Sequence, residues 1–274
     1  MYWNLLWIIL VVSLVLTTIG FYKFVYFLSI GYGFAVAGGG IATLIIALAT
    51  EGGAPAWITI IQAILFVVYG ARLSGFLLVR EFKDIAFKKT EVFKETLKKN
   101  DKKMPIPVLA CIWIFTSILY TAQVSPMFFR ALNADAANDW VVPVIGFVIS
   151  IGGIVLEAVA DKQKTEQKAK NPNFVATEGL YKIVRCPNYL GEITFWTGVF
   201  ISGLTTYQNF GQWITAILAY VAIVFIMFNG AQRLERRQKA RLANDPAYLE
   251  YASKTPIILP LVPLYTLDFP KKDK

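Results

Sequence analysis

Seven apolar runs dominate this chain, each long enough to cross a bilayer, whose hydrocarbon layer of about 30 Å takes roughly 20 helical residues. They lie near 3–21, 25–49, 57–79, 106–125, 140–160, 189–206 and 211–230. With 56% of its residues hydrophobic and 16% charged, the chain is too apolar for an ordinary soluble domain. The expected fold class is an all-α integral membrane protein, a bundle of seven transmembrane helices. The first run has no basic start and no clean small-residue cleavage site, so it reads as a retained helix rather than a signal peptide. Residues 1–56 form two N-terminal helices, and 57–274 form a membrane domain of the other five helices and a tail.

Basic residues sort by loop. Residues 80–104 hold nine Lys and Arg, 161–188 hold six, and the tail from Ala231 holds nine. Residues 50–56 and 207–210 hold none, and 125–139 hold only Arg130. With seven spans, all the basic-rich segments fall on one side. The positive-inside rule then puts the N-terminus outside and the C-terminus in the cytosol. Topology and contact with membrane lipid explain the net charge of +9, and no nucleic-acid partner is expected. Segment 81–103 mixes acids and lysines with Phe82, Ile85, Phe87 and Phe93, and reads as a surface-hugging connector. Glu51 reads as a solvated loop residue.

The chain has no histidine, which excludes His-ligated metal, Ser–His and Cys–His catalysis and an imidazole shuttle. Acid–base work falls to Tyr, Glu, Asp, Lys or Cys. Cys111 and Cys186 give no disulfide framework. Gly38-Gly39-Gly40 lies inside an apolar run and is no dinucleotide fingerprint, and there is no Walker motif. With Gly31 and Gly33 it reads as a close helix contact.

Four places carry polar groups that a bilayer makes costly. The first is Glu178-Gly179-Leu180-Tyr181-Lys182-Ile183-Val184-Arg185-Cys186-Pro187-Asn188-Tyr189-Leu190-Gly191-Glu192. Pro187 suits the first turn of a helix, whose N–H groups are unpaired and attract anions, and Arg185 adds charge beside them. Asn188 and Glu192 are four apart and share a face. The second is the third run, where Gln62, Tyr69 and Arg72 lie near one face, with Arg72 about 10 Å inside the end of the helix at 1.5 Å per residue. The third is Glu157 and Asp161, two acids at a spacing where like charges repel, so the pair needs a basic partner, a metal or a hydroxyl-rich ligand. The fourth is the tail, with Glu235, Arg236, Tyr248 and Tyr251 ahead of Pro256 and Pro260.

The first of these resembles a motif of the steroid 5α-reductase family, in its DUF1295-type branch of membrane proteins. The matching residues are Gly179, Leu180, Tyr181, Arg185, Pro187, Asn188, Tyr189, Gly191 and Glu192, and Cys186 stands where that branch usually has His. Isoprenylcysteine carboxyl methyltransferases carry a related motif. Tyr69-x-x-Arg72-Leu73 is similar to the family helix in which a Tyr meets the substrate carbonyl and an Arg lies by the nucleotide. A downstream family pattern appears as Arg80, Asp84, Ala86 and Phe87, with Ala86 in place of an Arg. Glu157 and Asp161, the latter matching a family Asp, stand where the family lines its nicotinamide dinucleotide site. The tail resembles the segment with which the family covers its cofactor.

What the resemblance implies is an NADPH-dependent reductase of a C=C bond in a lipophilic enone or enoyl lipid. Tyr69 is then the catalytic electrophile. Arg72, Glu157, Asp161, Arg185, Asn188, Tyr189, Glu192, Glu235, Tyr248 and Tyr251 are the candidate NADPH-binding residues, and no metal is implied. The alternatives are a methyltransferase using S-adenosylmethionine and a non-catalytic relative. The expected partners are a lipophilic small-molecule substrate and membrane lipid, with the oligomeric state open. The ending Lys271-Lys272-Asp273-Lys274 resembles a dilysine retrieval signal of the endoplasmic reticulum membrane, a bacterial inner membrane being the other address.

Overall fold

The computed structural model describes residues 3–50, 53–82, 104–133 and 138–268. Glu51, segment 83–103 with Asp84, Ala86 and Phe87, the side chain of Arg80, and Lys271–Lys274 lie outside the described residues. Among the described residues there is no strand, and the order is α1 (Leu6–Thr17), α2 (Ile30–Ala49), α3 (Ala56–Phe82), α4 (Ile106–Leu132), α5 (Val141–Lys170), α6 (Pro187–Gly203), α7 (Phe210–Leu242) and α8 (Pro246–Lys254). Each of the seven apolar runs therefore carries a helix. Five stretches, Phe24–Ala49, Ala56–Val79, Ile106–Leu132, Val141–Lys170 and Phe210–Leu242, are long and apolar enough to cross a membrane. α1 and α6 are shorter, at 12 and 17 residues. The outward faces are apolar too: Val15, Ile45, Ile64, Phe115, Val148 and Phe225 are all exposed. Such an exterior is what a bilayer requires and water penalises.

The helices form two compact units, Met1–Ser150 with Thr197–Tyr220, and Ile151–Trp196 with Val221–Lys274. In the first unit α2 is the hub, and its glycines show why. A Cβ on Gly33 would stand 2.7 Å from the Gly70 carbonyl of α3, and one on Gly40 would stand 2.9 Å from Phe66. Gly38 faces Leu16 and Val12 of α1, and Gly39 faces Ile9 of α1 and Val124 of α4. The glycine cluster is thus the close helix contact that its composition suggests. Buried hydroxyls bond within their own helices, Thr43 to the Gly39 carbonyl and Thr121 to the Ser117 carbonyl. Pro126 inside α4 cannot donate to the Ala122 carbonyl, and the Ser125 hydroxyl donates to it instead, at 2.7 Å.

At the C-terminal end of α4, Arg130 is 1% exposed. Its guanidinium donates to the Ser202 carbonyl, to Thr205 and, at 3.0 Å, to the Asp139 carboxylate. Burial works to raise the Asp139 carboxyl, but hydrogen bonds from Thr205, Arg130 and the Val142 N–H outweigh it and hold the group below its ordinary value. Asn133 adds a bond to the Thr206 carbonyl. The reading of a positive charge here as merely the lone basic residue of its loop misses this clamp.

In the second unit α5 meets α6 at bare backbone. A Cβ on Gly153 would collide with the Phe195 nitrogen and stand 2.7 Å from the Gly191 carbonyl, whereas one on neighbouring Gly152 would meet nothing within 4 Å. This adjacent pair makes a controlled test. Gly153→Ala should cost about 1–3 kcal/mol by forcing backbones apart. Gly152→Ala should gain about 0.5–1 kcal/mol from helix propensity alone. Unfolding midpoints of the two variants in one detergent check this, and equal midpoints would refute the contact.

Candidate functional site

The 178–192 stretch is built against the end of α5. Gly179 takes φ +66°, a left-handed conformation that suits glycine, and starts a short 3-10 turn, Gly179–Lys182. Gln163 and Gln167, four apart on α5, hold this turn from behind. The Gln167 side-chain oxygen accepts from the Thr177 and Glu178 N–H groups at 2.8 and 3.0 Å, and that of Gln163 from the Leu180 N–H at 2.9 Å. Pro187 then opens α6, as its chemistry predicts.

The tail closes over this stretch. The Arg185 N–H donates to the Pro256 carbonyl and the Cys186 N–H to the Ile257 carbonyl, each at 2.8 Å. The Tyr251 hydroxyl donates to the Tyr181 carbonyl at 2.7 Å. Asp245 caps α8 through the N–H groups of Ala247 and Tyr248, placing Tyr248 at 0% exposure. Beneath lies an apolar cluster of Cys186, Ile193, Ala231, Ile257 and Ile258, with Tyr189 packed on it.

Arg185 is the centre of this clasp. Instead of facing outward at the start of α6, its guanidinium turns inward, 5% exposed. It pairs with Glu235 of α7 at 3.4 Å and donates to the Tyr265 carbonyl. Glu235 also accepts from Lys239 at 3.2 Å and from the Leu267 N–H at 2.8 Å. Arg236 binds Asp268 at 2.8 Å farther out. The buried Tyr248 hydroxyl faces the Arg185 guanidinium and interacts with it, while Arg185 Nε makes no hydrogen bond among the described residues.

The carboxylates sit on the neighbouring helices. Glu157 is buried, its backbone against Gly191. Glu192 is buried and accepts from the Trp196 indole at 3.2 Å. Asp161 is partly buried and close enough to Tyr181 to act on it: burial first, and then the Asp161 charge, push the Tyr181 phenol above its ordinary range. Asn188 and Tyr189 are partly exposed in the first turn of α6. Nine of the eleven expected site residues therefore lie in the second unit. Tyr69 and Arg72 lie in the first, on α3. Tyr69 is fully buried and donates to the Tyr32 hydroxyl at 3.1 Å, and Arg72 is partly buried one turn on. Among the described residues no cluster of His, Cys, Asp and Glu could hold a metal.

Sequence reasoning missed Gln163, Gln167 and Tyr32. The two glutamines had a readable signal in their i, i+4 spacing just before a glycine turn. Tyr32 had none, because its role exists only through contact with α3.

The family described as a protein of unknown function, DUF1295, matches residues 32–255. The chain belongs to this family. Its matched region takes in α3 and the clasp residues up to Thr255, including Arg185, Glu235, Tyr248 and Tyr251. No significant match was found among curated proteins or among solved structures.

Cys186, where the branch usually has His, cannot stand in for an imidazole near neutral pH. Burial pushes its thiol up to about 12 from the ordinary 9.0, with Glu235 adding to the rise. Because the folded value is the higher, the stability this group contributes is complete below about pH 9 and is lost as pH climbs towards 12. At about pH 8 an alkylating reagent should leave Cys186 unmodified until the protein is denatured, since the thiolate is the nucleophile. Fast labelling of the native protein would show the site to be open.

Proposed function

We propose that this is a membrane-embedded, NADPH-dependent reductase of a C=C bond in a lipophilic enone or enoyl lipid, of the steroid 5α-reductase type. The observation that carries the reading is the buried Arg185 guanidinium of the clasp, with the Tyr248 hydroxyl beside it. A buried N–H left unpaired costs about 1–3 kcal/mol, and an oxygen acceptor arriving at Arg185 Nε offsets that. A phosphate or carboxamide oxygen of a dinucleotide is such an acceptor. Other polar groups of the same unit suit such a ligand: the Asp161 and Glu157 carboxylates can accept from ribose hydroxyls, while Asn188 and Tyr189 offer an amide and a phenol at the start of α6.

When bound, the cofactor supplies a hydride to the β-carbon of the double bond. Tyr69 hydrogen-bonds the conjugated carbonyl and stabilises the negative charge that develops there, and a proton from solvent completes the saturated product at the α-carbon. Glu235, Tyr248 and Tyr251 keep the tail folded over the motif and exclude water. The lipophilic substrate partitions from membrane lipid.

The proposed topology has seven crossings, the N-terminus outside and the tail in the cytosol. α6 with its following 3-10 turn, Leu204–Thr206, spans about 30 Å at 1.5 and 2.0 Å per residue. A fluorescent protein fused to the C-terminus should mature and glow in a bacterial host, and an alkaline phosphatase fused there should stay inactive. The reverse result would invert the orientation.

Binding of NADPH at a hundred times its Kd should stabilise the protein by about 2.7 kcal/mol. Asn188→Ala should abolish the effect. Tyr248→Phe should weaken it, because it removes the hydroxyl beside the Arg185 guanidinium. Thermal unfolding with NADPH, NADH and S-adenosylmethionine measures this. Stabilisation by S-adenosylmethionine alone would replace the reductase with a methyltransferase, and no stabilisation by any of the three would favour a non-catalytic relative.

A further inference from the structure

The last loop of the clasp presents an apolar tip that the second unit leaves exposed. Residues 256–264 read Pro-Ile-Ile-Leu-Pro-Leu-Val-Pro-Leu, without a polar side chain. The Ile257 N–H donates to the Leu264 carbonyl at 2.9 Å, and the Leu264 N–H donates to the Val262 carbonyl at 2.7 Å, so the segment is a closed loop. Its base is buried at Ile257 and Ile258, while Pro260, Leu261, Val262 and Pro263 at its tip are exposed. Leu261 is 100% exposed and takes φ +66°, the left-handed region that suits glycine. In a loop standing in water, Gly or Asn at 261 would fit better on both counts.

Tethers on two helices set the level of this loop. The Arg185 and Cys186 N–H groups bind the Pro256 and Ile257 carbonyls where α6 begins. On the other side Gln232 donates to the Leu267 carbonyl where the apolar part of α7 ends. Between these tethers Ile257 and Ile258 share a cluster with Ile193 of α6, and Val224, Met227 and Phe228 of α7 pack against it. Val224 lies about 12 Å before Gln232 at 1.5 Å per residue. The base of the loop is therefore level with the last apolar turns of α7, where Phe225 is exposed. Cations follow at once, with Arg233 and Arg237 exposed on the polar end of α7. Pro260 and Pro263 have no N–H to leave unpaired away from water. Tyr265, 41% exposed, follows the loop with the kind of amphipathic ring that settles at a membrane interface.

We propose that loop 259–263 is a membrane-contact site, with Leu261 and Val262 inserted at the boundary between headgroups and acyl chains, and Arg233 and Arg237 on the phosphates of the lipid headgroups. The occupant is phospholipid, because the loop continues the lipid-facing surface of α7 and is flanked by cations. Insertion joins the clasp to the bilayer. The same loop supplies the Pro256 and Ile257 carbonyls, so the lipid contact steadies the acceptors that hold the Arg185 and Cys186 backbone. This contact is independent of the reductase reading.

The test measures the depth of the tip. In full-length protein, Cys111→Ser removes the exposed thiol and leaves the buried Cys186. A nitroxide is then attached at Leu261→Cys and, as a reference, at Ser253→Cys on the exposed last turn of α8. The protein is placed in nanodiscs of phosphatidylcholine and phosphatidylglycerol. Oxygen, which dissolves among acyl chains, and a nickel chelate, which stays in water, compete to relax the label. At 261 oxygen should dominate, and at 253 the chelate should. Chelate dominance at 261 would overturn the proposal and place the loop in water. A label at 261 shielded from both relaxants would overturn it in favour of a protein partner or a second copy of the chain. Leu261→Asn supplies a check without a label. Asn tolerates the left-handed backbone better than Leu, so in water the variant should unfold later than the wild type. At the lipid boundary it loses an inserted apolar side chain, and its unfolding midpoint in nanodiscs should fall. A midpoint that rises or stays unchanged would overturn the proposal.

Discussion

Helices whose outer faces are as apolar as their inner ones gain little from hydrophobic burial against each other. Adhesion must come from close packing and polar contacts instead. That requirement explains where the glycines sit. Gly33 with Gly70, and Gly153 with Gly191, let backbones approach to distances that one added carbon forbids. Once axes are that close, dispersion acts along the whole contact, and each side chain beside it is held in register. Ser74 can then reach the Ile30 carbonyl at 2.8 Å, and Tyr69 can reach Tyr32. The polar geometry of α3 therefore follows from a missing side chain on α2.

A different rule governs the clasp, where the dominant quantity is the cost of a buried cation. Arg185 cannot be buried alone, and removing the partner of a buried pair costs about 3–5 kcal/mol. Glu235 answers the charge, but Glu235 is itself oriented by the Leu267 N–H and Lys239. One buried guanidinium thus makes the fold of residues 256–268 a condition for the fold of residues 179–192. This coupling explains why a tail rich in prolines and tyrosines stays ordered. Its carbonyls at Pro256, Ile257 and Tyr265 are acceptors that the motif needs.

The sequence made the helices and the motif legible because both are local. Apolar runs are long compared with any turn, and Pro187, Gly179 and Asp245 each act through their own backbone. The length of α1 was less readable, because its 3-10 continuation at Thr18–Phe21 looks as apolar as the helix. So was the break at Ser29, which no proline or glycine marks. The direction of Arg185 was not readable at all. Its spacing from Pro187 places it beside a helix start, but the acid that turns it inward lies fifty residues later on another helix. The same holds for Arg130 and Asp139, and for Tyr32 and Tyr69. Pairing between distant segments leaves no periodicity to detect.

Satisfied and unsatisfied groups also divide along a line that stability alone does not draw. Buried hydroxyls in the first unit bond to their own helix or to a neighbour, as Ser74 does with the Ile30 carbonyl, and the one carbonyl that Pro126 strands is rescued by Ser125. Against that economy Gln123 in one unit and Arg185 Nε in the other stand out, neither hydrogen-bonded among the described residues. A fold under selection for stability alone would avoid both a buried unpaired amide and a buried unpaired N–H. Keeping them makes sense where a bound molecule supplies the missing partner for part of the protein's working life.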